Sequence, residues 1–184
     1  MLTVITGGSA SGKSAYAEDL VLSWGPAQRI YVATMYPFDR ESEKRIVRHQ
    51  KMRSGKGFQT VECYTGLEQI QVPPGSHVLL ECMSNLAANE MFQESGAGEN
   101  TVEAVMKGVC QLEKQASRLC VVTNEIFSDW QPYHTETKRY QKYLGEINCR
   151  MAQMAQQVVE VVYGIGLYRK NTVETGAERG GNVL

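Results

Sequence analysis

A short β-branched run, Leu2-Thr3-Val4-Ile5-Thr6, passes directly into Gly7-Gly8-Ser9-Ala10-Ser11-Gly12-Lys13-Ser14, which satisfies G-x-x-x-x-G-K-[ST]. Few folds accept that order of residues. The apolar run suits a buried parallel strand. Its glycines let backbone N–H groups turn inward onto phosphate oxygens, Lys13 offers a cation to β- and γ-phosphates, and the Ser14 hydroxyl can ligate Mg²⁺. Beyond the loop, Ala17, Leu20, Val21 and Trp24 recur at helical spacing until Gly25-Pro26 stops the pattern. Strand, glycine loop and helix therefore follow in the sequence a phosphate-binding loop requires.

The rest of the chain extends this into an α/β pattern. Strand-like runs recur at Leu2–Thr6, Arg29–Thr34, Phe58–Cys63, Val78–Cys82, Leu119–Thr123 and Val158–Tyr163, with helical patterns between most of them. Such alternation predicts an α/β fold with a mostly parallel central sheet covered on both faces, and together with the glycine loop the expected fold is a P-loop NTPase (RecA-like) three-layer one. Tyr140, Tyr143, Leu144, Ile147, Met151 and Met154 form the packing stripe of a long helix expected from about Thr135 to Gln157. The Gly-, Glu- and Ser-rich segment from Gln93 to Asn100 is expected to be a mobile loop. Residues 1–170 are expected to form one catalytic domain, and the polar, glycine-rich residues 171–184 a flexible tail.

Composition narrows the function classes. A formal net charge of −1 argues against nucleic acid as a partner. The five cysteines, Cys63, Cys82, Cys110, Cys120 and Cys149, lack C-x-x-C spacing and read as reduced core or near-core thiols. No run approaches the ~20 apolar residues of a membrane span, and no signal-like segment precedes the first strand. The expected location is cytoplasmic.

Candidate chemistry lies in three places. Asp39 to Arg53 reads as a helix with acids early and bases late, which suits the helix dipole. Within it Arg45, His49 and Arg53 stand at i, i+4 and i+8, along one stripe. Positive charge beside His49 favours the neutral, nucleophilic imidazole, whereas the carboxyl end of the helix dipole favours the imidazolium. On spacing alone a solvated helix face is the preferred reading. Glu81 ends the apolar strand Val78-Leu79-Leu80, where an acid can complete a Mg²⁺ site opposite Ser14; Glu125, after the strand ending at Thr123, is its rival. His77 and His134 precede a strand and a helix and read as loop or capping residues. Glu62 alone is uninformative.

Taken together, these pieces resemble the bifunctional adenosylcobinamide kinase/adenosylcobinamide-phosphate guanylyltransferases of cobalamin biosynthesis. The likeness rests on Thr6-Gly7-Gly8-x-x-Ser11-Gly12-Lys13-Ser14, Tyr31-Val32-Ala33-Thr34, Arg45-Ile46-x-x-His49-x-x-x-Arg53 and Thr60-x-Glu62. It continues through Leu79-Leu80-Glu81-Cys82, Val122-Thr123-Asn124-Glu125, Leu144-Gly145-x-Ile147-Asn148 and Gly164-Ile165-Gly166, so that it covers residues 1–170. The resemblance implies that His49 is a catalytic nucleophile, attacking the α-phosphorus of GTP and carrying GMP to adenosylcobinamide phosphate. It implies a kinase step in which Gly7, Gly8, Ser9, Ala10, Ser11, Gly12, Lys13 and Ser14 hold ATP or GTP, Lys13 assists catalysis, and Mg²⁺ sits between Ser14 and Glu81. Further nucleotide contacts are implied at Ala33, Thr34, Met35, Gln50, Lys51, Met52, Arg53, Glu62 and Glu81, with Arg45 and Arg53 as a phosphate-attracting stripe. The implied partners are adenosylcobinamide, its phosphate and further copies of the chain in a homo-oligomer, a trimer by family likeness.

The chain departs from the family pattern at Ala10, where many relatives have Arg, and at Phe127 to Pro132, where many have glycines. Both departures bear on the kinase step and on substrate fit. A small-molecule P-loop kinase without a covalent intermediate is the alternative, and it gives the Arg45/His49/Arg53 stripe no role. A nucleotide-dependent switch is a further one, although Thr123-Asn124-Glu125 lacks the N-K-x-D base-reading pattern.

Overall fold

The computed structural model describes residues 1–126 and 134–173. Its centre is a seven-stranded sheet. In chain order the strands are β1 (Leu2–Thr6), β2 (Arg29–Ala33), β3 (Phe58–Glu62), β4 (His77–Glu81), β5 (Arg118–Val122), β6 (Gln157–Val162) and β7 (Ile165–Asn171). Their spatial order is β3-β2-β4-β5-β1-β6-β7. Every pairing is parallel except that of β6 with β7.

Side chains alternate across this sheet with the period of two that a strand imposes. Ile5, Tyr31, Leu79, Cys120, Val122, Val159 and Val161 share one face with Ala17 and Val21 of α1 (Lys13–Ser23). Leu2, Val4, Ile30, Val32, Val78, Leu80, Leu119 and Val121 pack on the other. There they meet α3 (Met83–Phe92), α4 (Thr101–Gln115) and α5 (Thr135–Met154). Each fully buried Leu or Val here contributes about 1.5–3 kcal/mol. With both faces covered, the central strands read as continuous apolar runs.

The remaining helix, α2 (Arg40–Arg53), joins β2 to β3, and Arg53 is its only buried residue. Asp39 caps it through a reciprocal box, its side chain accepting from Ser42 N at 2.7 Å while Ser42 Oγ accepts from Asp39 N at 2.9 Å. Beyond its end, Lys56 donates to Glu18 of α1 at 2.6 Å, which fastens the turn after α2 to the helix behind the glycine loop.

Three expectations change. The long helix ends at Met154 rather than Gln157, because Gln157 pairs with Thr3 and opens β6. Residues after Tyr163 form a strand: Tyr163 and Gly164 both take left-handed angles, φ 52° and 79°, a two-residue turn of the kind that reverses a twisted hairpin. The turn lacks the usual Asn-Gly signature, which leaves β7 illegible in the sequence, and the sheet extends to Asn171, past the boundary expected at residue 170. Lastly, the segment from Gln93 to Asn100 is tied down, because the buried Glu90 carboxylate accepts from Ala97 N at 2.9 Å and from Gly66 N at 2.7 Å. Most of the expected tail, residues 174–184, and the departure at Phe127–Pro132 lie outside the described residues.

Candidate active site

The carboxyl ends of β1, β2, β3 and β4 open on one cleft of about 890 Å³. Open parallel sheets place ligands at that edge. The glycine loop forms one wall. Gly12, at φ 89°, stands as the N-cap of α1, and the loop is held from both sides: Glu125 N donates to Gly7 O at 3.1 Å and Gly164 N donates to Ser11 O at 2.8 Å. The space is close-fitting, since a Cβ on Gly7 would lie 2.6 Å from Val161 O. Lys13 is buried and folds back to donate to Gly8 O at 2.9 Å. Burial lowers the pKa of Lys13, against the raising influence of Cys82 and Glu81.

Glu81 lies at the centre of the cleft and is itself buried. Its Oε1 accepts from Ser14 Oγ in a short hydrogen bond, and its Oε2 accepts from Tyr31 Oη at 3.1 Å. His49 approaches the same carboxylate, with Nδ1 at 3.8 Å from Oε1. Burial and the Glu81 charge push the Tyr31 phenol up, so it remains a donor. Arg53 lies flat over the Tyr31 ring, its guanidinium carbon 3.4 Å from the centroid. The peptide after Glu81 is clamped by Thr34, whose Oγ1 accepts from Cys82 N at 2.7 Å and donates to Cys82 O at 2.8 Å.

Most residues expected in the site line this cleft: Ser9 to Ser14, Ala33, Met35, Arg45, His49, Gln50, Met52, Arg53, Glu62 and Glu81. Others do not. Thr34 is fully buried in the clamp just described, and Lys51 points to solvent from α2. Gly7 and Gly8 belong to the loop but not to the cleft wall. Of the stripe, Arg45 is exposed and pairs with Glu41, whereas Arg53 is buried. Both candidate acids, Glu81 and Glu125, reach the cleft, and it is Glu81 that meets Ser14. His134 is the N-cap of α5, as expected. His77 is instead a buried strand residue, edge-on to Trp24 at 5.4 Å.

Tyr31, Tyr140, Gln141 and Asn85 line the cleft and escape the sequence reading as site residues. Helical spacing gives Tyr140 a packing role, yet its hydroxyl also donates to Ser84 O at 3.1 Å. A signal exists for Tyr31: a phenol inside an otherwise apolar buried strand must find a polar partner.

Three buried polar atoms on the cleft wall make no hydrogen bond among the described residues: Ser11 Oγ, His49 Nδ1 and Arg53 Nη1. Buried polar groups are ordinarily paired, so such a cluster marks a place where a polar ligand completes the structure. No group of three or more His, Cys, Asp or Glu side chains able to hold a metal ion occurs among the described residues.

Residues 3–168 match the model of the cobinamide kinase / cobinamide phosphate guanyltransferase family. The chain belongs to that family. Among curated relatives it is 30% identical over 184 residues to the bifunctional adenosylcobalamin biosynthesis protein CobU of Salmonella typhimurium, covering 91% of this chain and 98% of the relative. The Escherichia coli K12 protein of the same name is 29% identical over 181 residues, covering 91% and 98%. Likeness to solved structures shows the fold alone. A KaiC-like protein from Pyrococcus horikoshii OT3 superimposes with a TM-score of 0.51 at 12% identity, covering 95% of this chain and 81% of that one. The three-layer, RecA-like P-loop fold expected from sequence is the fold found. Among the described residues of this family member, no helix is long and apolar enough to cross a membrane.

Proposed function

We propose that this chain catalyses both reactions for which its family is named: phosphorylation of adenosylcobinamide, then transfer of GMP from GTP to the resulting phosphate. One observation carries the proposal. Ser14 of the glycine loop and His49 of α2, whose roles belong to different half-reactions, converge on the same carboxylate of Glu81.

In the transfer reaction His49 is the nucleophile. Its Nδ1 faces Glu81 at 3.8 Å, so a proton held on that nitrogen leaves the Nε2 lone pair free. Nε2 attacks the α-phosphorus of GTP; an N–P bond forms and the bond to the bridging oxygen breaks, releasing pyrophosphate. A phosphate oxygen of adenosylcobinamide phosphate then attacks the same phosphorus, breaking the N–P bond and restoring the imidazole. Arg53, with a buried N–H lacking a partner among the described residues, is placed to bind phosphate oxygens, and Arg45 adds positive charge from the cleft rim. In the kinase reaction the loop from Gly7 to Ser14 holds ATP or GTP, and Lys13 unfolds from Gly8 O onto the phosphates. Ala33, Met35, Gln50, Met52 and Glu62, which line the cleft, are assigned to the rest of the nucleotide.

The donor set fits Mg²⁺. Ser14 and Glu81 present adjacent hard oxygen ligands without a full protein cage, which is how this ion binds when substrate phosphates supply its other ligands. When bound, Mg²⁺ neutralises charge on the phosphates. Oligomerisation, as a trimer, belongs to the same proposal; the exposed Ile165, Leu167 and Tyr168 of β7 support it.

The test is intact-protein mass spectrometry after incubation with Mg²⁺ and GTP, without corrinoid, alongside His49→Ala. An acid-labile GMP adduct absent from the variant is expected. No adduct on a chain that still binds GTP would leave a simple P-loop kinase as the reading.

A further inference from the structure

A second hollow, of about 260 Å³, opens beside the main cleft and shares Met35, Arg45 and Asn85 with it. Its rim is aromatic. Tyr36 lies 4.8 Å from Phe38 and 5.1 Å from Tyr64, ring centre to ring centre, so the three rings form one continuous ledge. Phe38 is 70% exposed and Tyr36 39%, unusual for large apolar side chains held together at the mouth of a cleft. Asp39 and Glu41, at the start of α2, line the same hollow.

The geometry points to this ledge as the seat of the corrinoid ring of the acceptor, with the acceptor's reacting arm passing over Arg45 into the cleft. This rests on the function proposed above. The first reason is chemical. A corrinoid presents a broad flat macrocycle fringed with amide groups, which suits aromatic faces beside carboxylate and amide acceptors. A triphosphate suits neither, because no glycine-loop residue lines the hollow and its two acids, Asp39 and Glu41, outweigh the single lining cation, Arg45. The second reason is distance. Arg45 precedes His49 by one turn of α2, about 6 Å along the axis, so an acceptor seated on the ledge has a short path to the nucleophile. The third is economy of space: the cleft must hold a nucleotide in both half-reactions, and the bulky part of the acceptor must therefore sit outside it yet adjoin it.

Two exposed side chains carry the test, so folding is not at stake. Binding of cobinamide to the full chain is measured by equilibrium dialysis, read by the colour of the corrinoid, for wild type, Tyr36→Ala, Phe38→Ala and Phe38→Trp. Each alanine variant is expected to weaken binding about threefold to tenfold, and Phe38→Trp to retain it. Acceptor-free guanylylation of His49 by GTP, measured in parallel, is expected to be unchanged in all of them. Unaltered cobinamide affinity in both alanine variants overturns the proposal. So does a loss of GTP affinity or of guanylylation in its place, which would assign the ledge to the nucleotide. Absent guanylylation in the wild type would defeat the transfer mechanism instead, while dialysis still reads the ledge.

Discussion

Glu81 Oε1 lies 3.8 Å from Nδ1 of His49 and simultaneously accepts the hydroxyl of Ser14. One buried carboxylate thus joins the glycine loop to a helix that buries little else than Arg53. Removing its charge should affect both half-reactions together. Glu81→Gln is expected to lower both kinase and transferase kcat by about 10²-fold or more, with the thermal midpoint little changed. Loss of only one activity, in steady-state assays of each, would show that the two reactions do not share this group.

Tyr31 holds that carboxylate through its other oxygen. Tyr31→Phe keeps the ring beneath Arg53 and removes only the donor to Oε2. A hydrogen bond to a charged group is worth about 1.5–3 kcal/mol, so a fall in kcat of at least tenfold is expected with GTP affinity nearly intact. Equal activity in the variant would mean that Ser14 alone orients Glu81.

The Lys56–Glu18 pair anchors α2 to α1. Glu18 is fully buried, and its Oε1 already lacks a partner among the described residues. Lys56→Met leaves that charge uncompensated and is expected to destabilise the fold by about 2 kcal/mol, less than for a fully buried pair because Lys56 keeps contact with water. Glu18→Leu combined with Lys56→Met should recover most of the loss. In urea titrations, a single variant as stable as wild type would refute the anchoring role.

The same pair sets an alkaline limit. The hydrogen bond to Glu18 raises the pKa of Lys56 above its ordinary value. A raised folded-state pKa means that the contribution to stability is fully present below the unfolded value, about 10.4, and fades as pH climbs through the folded one. Thermal midpoints of wild type should therefore fall above that pH more steeply than those of Lys56→Met. Parallel curves would count against the linkage.

At Gly12 the backbone adopts φ 89°, and an added Cβ would lie 3.1 Å from Cα of Gly164. Gly12→Ala forces about 1–2 kcal/mol of left-handed strain and pushes the β6–β7 turn off the glycine loop. Nucleotide affinity is expected to fall at least tenfold by calorimetry, while secondary structure by circular dichroism is unchanged. Wild-type affinity would show that the loop tolerates displacement of the turn.

Much of this site is legible in the chain, and its gaps have physical causes. Arg45 and Arg53 fall along one stripe of α2 by spacing, yet one is solvated beside Glu41 and the other is buried on Tyr31. Their places along α2 separate them: Arg53, its last residue, reaches Tyr31 of β2, whereas Arg45 lies about two turns earlier at the exposed rim of the cleft. Glu81 and its rival Glu125 both stand near strand ends in the sequence; β4 lies between β2 and β5, and it is Glu81 that meets Ser14. The aromatic ledge leaves no trace in sequence because Tyr64 comes from beyond β3 while Tyr36 and Phe38 follow β2.

The order of residues by itself determined the glycine loop and the strands that bury both faces, because local spacing dictates backbone hydrogen bonding and which side chains share a face. Spacing alone left His49 on a solvated helix face, and only the family resemblance singled it out. The tertiary structure decided which charges meet. His49, Glu81, Ser14 and Tyr31 lie on four different elements, and their interaction depends on distances that exist only once parallel strands are in register and their carboxyl ends share one cleft. Electrostatic and hydrogen-bond energies fall off over a few ångströms, so the chemistry follows from that packing.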